Sequence, residues 1–297
     1  MKGEGVSSSE SGGRGEKLVA REPYIHDDDS AMTVRQHASR TADKQAGWFL
    51  PYLRPGMTLL DCGCASGSIT VGLAEAVAPG RVHGVDISEV EIGRAIARAE
   101  QQNIENISFT VGNVYELDFS DNSFDAVFSH NVLEHLAHPD HAIQEMRRVL
   151  KPGGMIGLRD FDIGGLLFEP ETELFKQFVD LYEADWQRMG GHPRLGRRLS
   201  GMMDKAGFAE VVASASYEAY SRSDLHMFVT DVLIGRLSEE VFATRVVGCG
   251  MATHDVITAM IDELSAWQVS PGAFLALAHA EVVGRKPDTG GGGPKAI

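Results

Sequence analysis

The chain has 297 residues, 43% of them hydrophobic, and carries 42 acidic against 27 basic side chains for a formal net charge of −15. That is enough apolar material for one large α/β domain or a core with a smaller lid, and so acidic a surface argues against a phosphate backbone as the main partner, so no nucleic acid is expected. Three cysteines, Cys62, Cys64 and Cys249, do not make a disulfide framework, no basic segment followed by an apolar one opens the sequence, and no apolar run approaches the ~20 residues of a membrane span; a cytoplasmic protein is expected.

In chain order, residues 1–22 are rich in Gly, Ser, Glu and Lys and are expected to be disordered. Asp27, Asp28 and Asp29 read as a solvated face, because three adjacent carboxylates converge poorly on a metal. Residues 32–50 read as an amphipathic helix stopped before Pro51. Strands are predicted over 57–61, 81–86, 107–111, 124–129 and 155–159, with helices over 68–77, from 87 to about 102, and over 141–150. Lys151-Pro152-Gly153-Gly154 reads as the turn that ends the last of these helices. Such alternation implies a doubly wound parallel sheet whose ligand cleft lies at the carboxyl ends of the strands.

Beyond Asp160 the rhythm changes. Residues 161–192 hold Phe161, Phe168, Phe175, Phe178, Tyr182 and Trp186 on a mostly helical pattern. Further helices are predicted over 195–206, 223–245 and 251–268, a strand over 208–215, and a final apolar strand over 274–283. The expected domains are a tail over 1–22, a helical cap over 23–50, a ligand-binding core over 51–160 and a lid insert with a late core helix and strand over 161–222. A helical insertion over 223–268, the final core strand over 269–286 and a flexible tail over 287–297 follow.

The chemistry concentrates in Asp61-Cys62-Gly63-Cys64-Ala65-Ser66-Gly67, between the first strand and its helix. Glycines there let backbone approach a ligand, and the following helix offers free N–H groups. Asp86 closes the second strand 19 residues after Gly67, where a carboxylate can accept hydrogen bonds from both hydroxyls of a ribose. The G-x-G-x-x-G spacing of nicotinamide sites is absent, as are a phosphate loop and a Tyr-x-x-x-Lys pair. His130, His135, His138 and His141 do not read as a metal site, because a strand-end loop interrupted by Pro139 fixes no ligand face.

Six segments in order resemble the core of class I S-adenosylmethionine (SAM)-dependent methyltransferases, in a branch similar to the ubiquinone and menaquinone biosynthesis methyltransferases. They are Leu59-Leu60-Asp61-Cys62-Gly63-Cys64, Val82-His83-Gly84-Val85-Asp86-Ile87-Ser88, Gly112-Asn113-Val114, Phe124-Asp125-Ala126-Val127-Phe128-Ser129-His130, Leu133-Glu134-His135 and Arg148-Val149-Leu150-Lys151-Pro152-Gly153-Gly154. The resemblance implies a Rossmann-like seven-stranded sheet with an antiparallel last strand beside strand five. It implies that Asp61, Gly63 and Gly67, in a loop with Cys64 and Ala65, hold the methionine part of SAM. Asp86 would bind the ribose, Ile87 would pack on the adenine, Asn113 and Val114 would read its edge, and His130 would line the cofactor. The chain departs from the family pattern at Ala65, which replaces a glycine and is small enough to be tolerated if its φ stays negative, and at Asn113, which stands for an aspartate.

The acceptor side carries less information. The aromatic stripe from Phe161 to Trp186 suits a lid over a small apolar molecule, and the acceptor atom can be O, N or C. If a base is needed, His135 and His37 are the first candidates and His192 the next, while Arg40 can grip the SAM carboxylate or orient an acceptor oxygen. A SAM-fold binding protein without turnover and a nicotinamide oxidoreductase are the rival readings.

Overall fold

A computed structural model describes residues 38–220 and 222–288. The tail over 1–22, the aspartates 27–29, His37 and residues 289–297 lie outside the described residues.

The strands are β1 (Thr58–Cys62), β2 (Arg81–Asp86), β3 (Ile107–Val111), β4 (Phe124–His130), β5 (Leu150–Phe161), β6 (Leu167–Glu169), β7 (Ala209–Ala219) and β8 (Phe274–Arg285). They form one sheet in the order β3-β2-β1-β4-β5-β8, with β7 on the far edge of β8. β1 to β5 pair in parallel, and β8 runs antiparallel to β5, β6 and β7. This is the doubly wound sheet with an antiparallel last strand that the sequence implied. The unexpected element is β6. It takes up the β5 side of β8 where β5 stops, pairing Phe168 with Leu275 beyond the Phe161–His279 pair.

Burial explains the order. β1 and β4 are buried along almost their whole length and sit centrally, where helices cover both faces, whereas β3 and β7 alternate or open to solvent and form the edges. Successive residues serve opposite faces. Leu60 and Val127 enter one core with Ile143, Met146 and Leu199; Leu59 and Phe128 enter the other with Phe49, Leu73 and Val77. Each such side chain contributes about 1.5–3 kcal/mol through its removal from water.

The helices are α1 (Ala42–Gln45), α2 (Thr70–Val77), α3 (Glu89–Gln101), α4 (Pro139–Val149), α5 (Glu173–Arg188), α6 (Leu199–Lys205), α7 (Arg222–Phe228), α8 (Gly235–Ser238), α9 (Glu240–Gly248) and α10 (His254–Trp267). Hydroxyl caps start the longer ones: Ser88 accepts from the Glu91 N–H, Thr172 from Phe175 and Thr253 from Val256. A third core joins Phe175 and Phe178 of α5 to Leu225, Phe242, Met260, Leu264, Trp267 and Leu275. It sits over β6 and the start of β8, apart from the two cores of the sheet.

Three expectations need correction, and a fourth needs an addition. The helix over 32–50 is broken in its described part. Thr41 is extended, its hydroxyl caps Lys44 and its N–H donates to Gln45 Oε1, so only the single turn of α1 follows. Lys151 to Gly154 is not a simple turn but an irregular start to β5, in which Leu150 pairs with Phe124 and Met155 with Ala126. Residues 161–192 are mostly helical as expected, through α5, but Asp162 first turns the chain into a short 3-10 turn (Ile163–Gly165) and β6. The helix over 223–245 is interrupted by a π segment (Val229–Ile234) and again at Glu239, which is extended.

Candidate active site: a glycine loop and a lidded cavity

The loop after β1 is shaped by three left-handed residues, Gly63 at φ 76°, Ala65 at φ 44° and Gly67 at φ 71°. A Cβ on Gly63 would run into the Val132 side chain, so position 63 requires glycine on both counts. The Gly63 and Cys64 N–H groups donate to the Val85 carbonyl at 2.7 and 3.1 Å. Asp86 completes the clamp, with Oδ2 accepting the Ala65 N–H at 2.8 Å and Oδ1 the Ser88 N–H at 3.0 Å. The condition of a negative φ at Ala65 is not met. Aiming its N–H at Asp86 turns the residue left-handed, which costs a non-glycine residue about 1–2 kcal/mol, offset by a charge-assisted hydrogen bond.

Asp61 is buried at the end of β1 and accepts the Thr70 hydroxyl at 2.7 Å. Burial pushes its carboxyl up to about 7. Cys64 is buried beside it, and burial together with Asp61 pushes its thiol up, so it is no nucleophile. Ile87 stands 59% exposed beyond β2 as an apolar platform. Asn113 spends its Oδ1 on the Tyr115 N–H at 2.9 Å, and the Val114 side chain turns into the core. Asp61, Gly63, Cys64, Ala65, Gly67, Asp86 and Ile87 therefore converge at the carboxyl ends of β1 and β2. The loop spends its N–H groups on β2 and on itself, and the Asp86 carboxylate and the exposed aliphatic platform of Ile87 beside this tight glycine turn fit SAM.

A second concavity of about 1120 Å³, counted out to its mouth, lies between this end of the sheet and the third core. Phe161, Phe175, Phe178, Tyr182, Trp186 and Leu277 supply apolar wall, and Arg40, Asn131, Glu134, His135, Glu218 and His279 the polar groups. Val132, which abuts Gly63, joins Asn131 to Glu134, so cavity and cofactor loop share one wall.

Of the predicted bases, His135 reaches the cavity. Its ring stacks on Trp186 at 5.1 Å and its Nε2 lies 3.7 Å from Glu134. His192 does not line the cavity; its N–H donates to the Glu134 carbonyl at 2.7 Å. His130 is buried against Arg159 at 3.3 Å, and burial with the charges of Arg40 and Arg159 holds it neutral. His138 and His141 are exposed neighbours on α4 and the turn before it. Of the three arginines over 194–198, Arg194 pairs with Glu183 and Arg197 with Asp162.

Sequence reasoning missed several groups. Glu134 and Asp160 are a buried carboxyl pair. Asp160 Oδ1 accepts the Val132 and Glu134 N–H groups at 3.1 and 3.3 Å, and burial beside Asp160 pushes Glu134 well above the carboxylate range, so Glu134 keeps the proton. Arg159 pairs with Glu281 at 3.4 Å across β5 and β8, and Ser214 donates to Glu281 at 2.8 Å. His279 lies in β8, which read as uniformly apolar. The signal was there as period two: Leu275, Leu277, His279 and Glu281 share one face, and two of the four are polar.

Residues 53–207 match the family model described as a methyltransferase domain. The chain belongs to the SAM-dependent methyltransferases. It is 32% identical to an uncharacterised methyltransferase of Schizosaccharomyces pombe over 209 residues, covering 68% of this chain and 75% of that one. It is 37% identical over 135 residues to the 27-O-demethylrifamycin SV methyltransferase of Amycolatopsis mediterranei, covering 45% of this chain and 48% of that one. The match spans about half the length of most of the curated relatives. Among solved structures, the YcgJ protein of Bacillus subtilis superposes with a TM-score of 0.55 over 82% of this chain and 97% of its own, at 18% identity, which is a likeness of fold. In this methyltransferase the family model ends at Gly207, short of β7, β8 and most of the third core, so one side of the cavity, with Glu218, Leu275, Leu277 and His279, is built from chain that the family model does not describe.

Proposed function

We propose that this methyltransferase moves the methyl group of SAM to an O, N or C atom of a small, largely apolar organic molecule held in the lidded cavity. The observation that carries the reading is the shared wall: the segment that abuts the Gly63 turn also lines an aromatic cavity. Transfer of a methyl group from a sulfonium is an in-line displacement, so catalysis comes chiefly from holding the two partners aligned away from water. Asp61, Gly63, Cys64, Ala65, Gly67, Asp86 and Ile87 would hold SAM, with Asn113 and Val114 near the adenine and Arg40 between cofactor and acceptor. We read residues 161–192 and 223–268 as the lid. The relative that acts on demethylrifamycin supports a small-molecule acceptor, and the surface charge of −15 opposes nucleic acid. No helix among the described residues is long and apolar enough to cross a membrane, and three free cysteines suit the cytoplasm.

Calorimetry with S-adenosylhomocysteine, then incubation with methyl-labelled SAM and a metabolite extract, tests the reading. A labelled small product is the expected result. Cofactor binding without any such product would favour the binding protein without turnover.

A further inference from the structure

The turn after β4 touches both halves of the site: Val132 meets the Gly63 turn, while Asn131, Glu134 and His135 line the cavity. Two carboxyls hold it. Glu134 and Asp160 are 2% and 0% exposed, and among the described residues no lysine or arginine pairs with either. Their backbone bonds are reciprocal. Asp160 Oδ1 accepts the Val132 and Glu134 N–H groups at 3.1 and 3.3 Å, and Glu134 Oε2 accepts the N–H of Phe161, the residue after Asp160, at 3.2 Å. The groups packed around them come from every side. The turn itself brings His135, with Nε2 3.7 Å from Glu134 Oε1; α5 brings Tyr182, near enough to feel the Glu134 charge, and Trp186, stacked on His135. The segment before α6 brings His192, whose N–H donates to the Glu134 carbonyl, and Arg40 acts on Glu134 from the cavity wall.

We propose that Glu134 and Asp160 are positioning residues that share one proton: the Glu134 O–H donates to Asp160 Oδ2, and this bond locks the Asn131–His135 turn as the common wall of cofactor loop and cavity. The proposal rests on the reading of that loop and cavity as the seats of SAM and acceptor. Neither carboxyl gives up or takes a proton in the methyl transfer.

Three observations support this. First, Asp160 Oδ2 is buried and accepts no N–H, a costly state for a carboxylate oxygen. The Glu134 side chain is in hydrogen-bond contact with Asp160, and a Glu134 hydroxyl supplies the donor that Oδ2 lacks. Second, the surrounding N–H groups assign the proton. Asp160 collects two of them and stays a carboxylate, whereas Glu134 collects one and, beside that charge, keeps its hydrogen. Third, one aspartate grips both sides of the turn, its backbone through Oδ1 and the Glu134 side chain through Oδ2. A Cβ on Gly63 would strike Val132, so a shift of the turn is felt in the loop, and Asn131 and His135 carry the same shift into the cavity. Loss of the proton would set two like charges against each other in the interior. Burial beside Asp160 holds the Glu134 proton well above the ordinary carboxyl range, so the lock is intact at low and neutral pH and is lost as pH rises through the folded value.

The test uses the full chain, S-adenosylhomocysteine as ligand and Glu134→Gln, whose amide can donate to Asp160 Oδ2 and accept from Phe161 at any pH. In calorimetry from about pH 6 to about pH 10, the parent's affinity should fall about tenfold or more below that of Glu134→Gln at the alkaline end, with the two within about threefold at the acid end. Glu134→Met strands the Asp160 carboxylate and should weaken binding at every pH, a loss that the glutamine variant escapes. Infrared spectroscopy reads the proton itself. At about pH 8.5 Asp61, with its value of about 7, is largely ionised, so the C=O stretch of a protonated carboxyl should be present in the parent and in Asp61→Asn and absent from Glu134→Gln. Superimposable pH profiles of parent and Glu134→Gln would overturn the proposal, as would a band that survives the substitution or is missing from the parent. The band decides even if Glu134→Met does not fold. Failure of the parent to bind S-adenosylhomocysteine at any pH, with the band in place, would instead sink the cofactor reading and with it the role of the pair at Gly63.

Discussion

The two halves of the site recognise by different means. The loop after β1 is set by its backbone: three left-handed residues in five turn it, and the Val85 carbonyl and the Asp86 carboxylate tie its N–H groups to the next strand. The cavity works through side chains brought from far apart, Arg40 before the sheet, Asn131 to His135 after β4, Tyr182 and Trp186 on α5, Glu218 on β7 and His279 on β8. A backbone site demands small residues at fixed spacing and is therefore written locally. A side-chain site demands only that distant strands end up adjacent.

The largest expected effect strikes the side-chain half. Arg159 and Glu281 are 3% and 7% exposed, and Arg159→Met leaves a buried carboxylate without its cation. A loss of about 3–5 kcal/mol in urea unfolding is expected, mostly restored in the double variant Arg159→Met/Glu281→Leu, where no charge is left stranded. This variant also sharpens the contrast. If S-adenosylhomocysteine still binds when the lid has melted, loop and cavity are separate cooperative units; a single transition would make them one.

Asp61 links the loop to pH. Burial raises its carboxyl from the ordinary 3.8 to about 7, so the folded chain binds more protons than the unfolded chain between those values. Its stabilising contribution is fully present below about pH 4, declines as pH rises, and is lost once pH passes about 7. Asp61→Asn removes the penalty and keeps a partner for the Thr70 hydroxyl. The variant is expected to be more stable than the parent at pH 8 by about 1–3 kcal/mol and no more stable at pH 4, in melting curves taken across that range. If the variant also loses S-adenosylhomocysteine binding, the carboxylate was retained for the cofactor at the expense of stability; equal melting of the two at pH 8 would show that Asp61 is solvated.

Asp86→Ala tests the independence of the halves from the other side. Loss of a carboxylate that accepts two backbone N–H bonds should weaken SAM by about 1–3 kcal/mol in calorimetry. Binding of 4-nitrophenol, taken as a planar aromatic probe of the cavity, should stay within a few-fold of the parent. A parallel loss of both would show that the loop also shapes the cavity.

The fold and the loop were legible because their determinants are short-range. Strands β2 and β3 begin and end where periodicity placed them, and Asp61, Gly63, Gly67 and Asp86 meet as their spacing implied. The lid was not, for physical reasons. β6 has three residues, too few for a period to show, and is held by register with β8 alone. The break before α1 depends on Thr41 choosing to cap instead of continuing a helix, a local competition that composition does not settle. His279 looked like part of an apolar strand, and only the pairing of β5 with β8, which sets it opposite Phe161, reveals that it borders the cavity.

The smallest expected effect is at Ala65, where sequence and structure disagree most sharply. A methyl-bearing residue at φ 44° carries a cost of about 1–2 kcal/mol that glycine avoids. Ala65→Gly removes that cost but gives the unfolded chain more freedom, which works against the variant by about 0.4–1 kcal/mol. The two nearly cancel, with the conformational term larger, so a net gain of about 0.5 kcal/mol and a rise of about 1–2 °C in Tm are expected. The N–H that meets Asp86 at 2.8 Å remains, so SAM affinity should stay within about twofold. Ala65→Val, by contrast, puts a β-branched side chain in the left-handed region and should lower both Tm and affinity. A fall in Tm for the glycine variant would mean that the Ala65 methyl packs usefully in the loop, and that the loop is held partly by side-chain contact, eroding the contrast with the cavity.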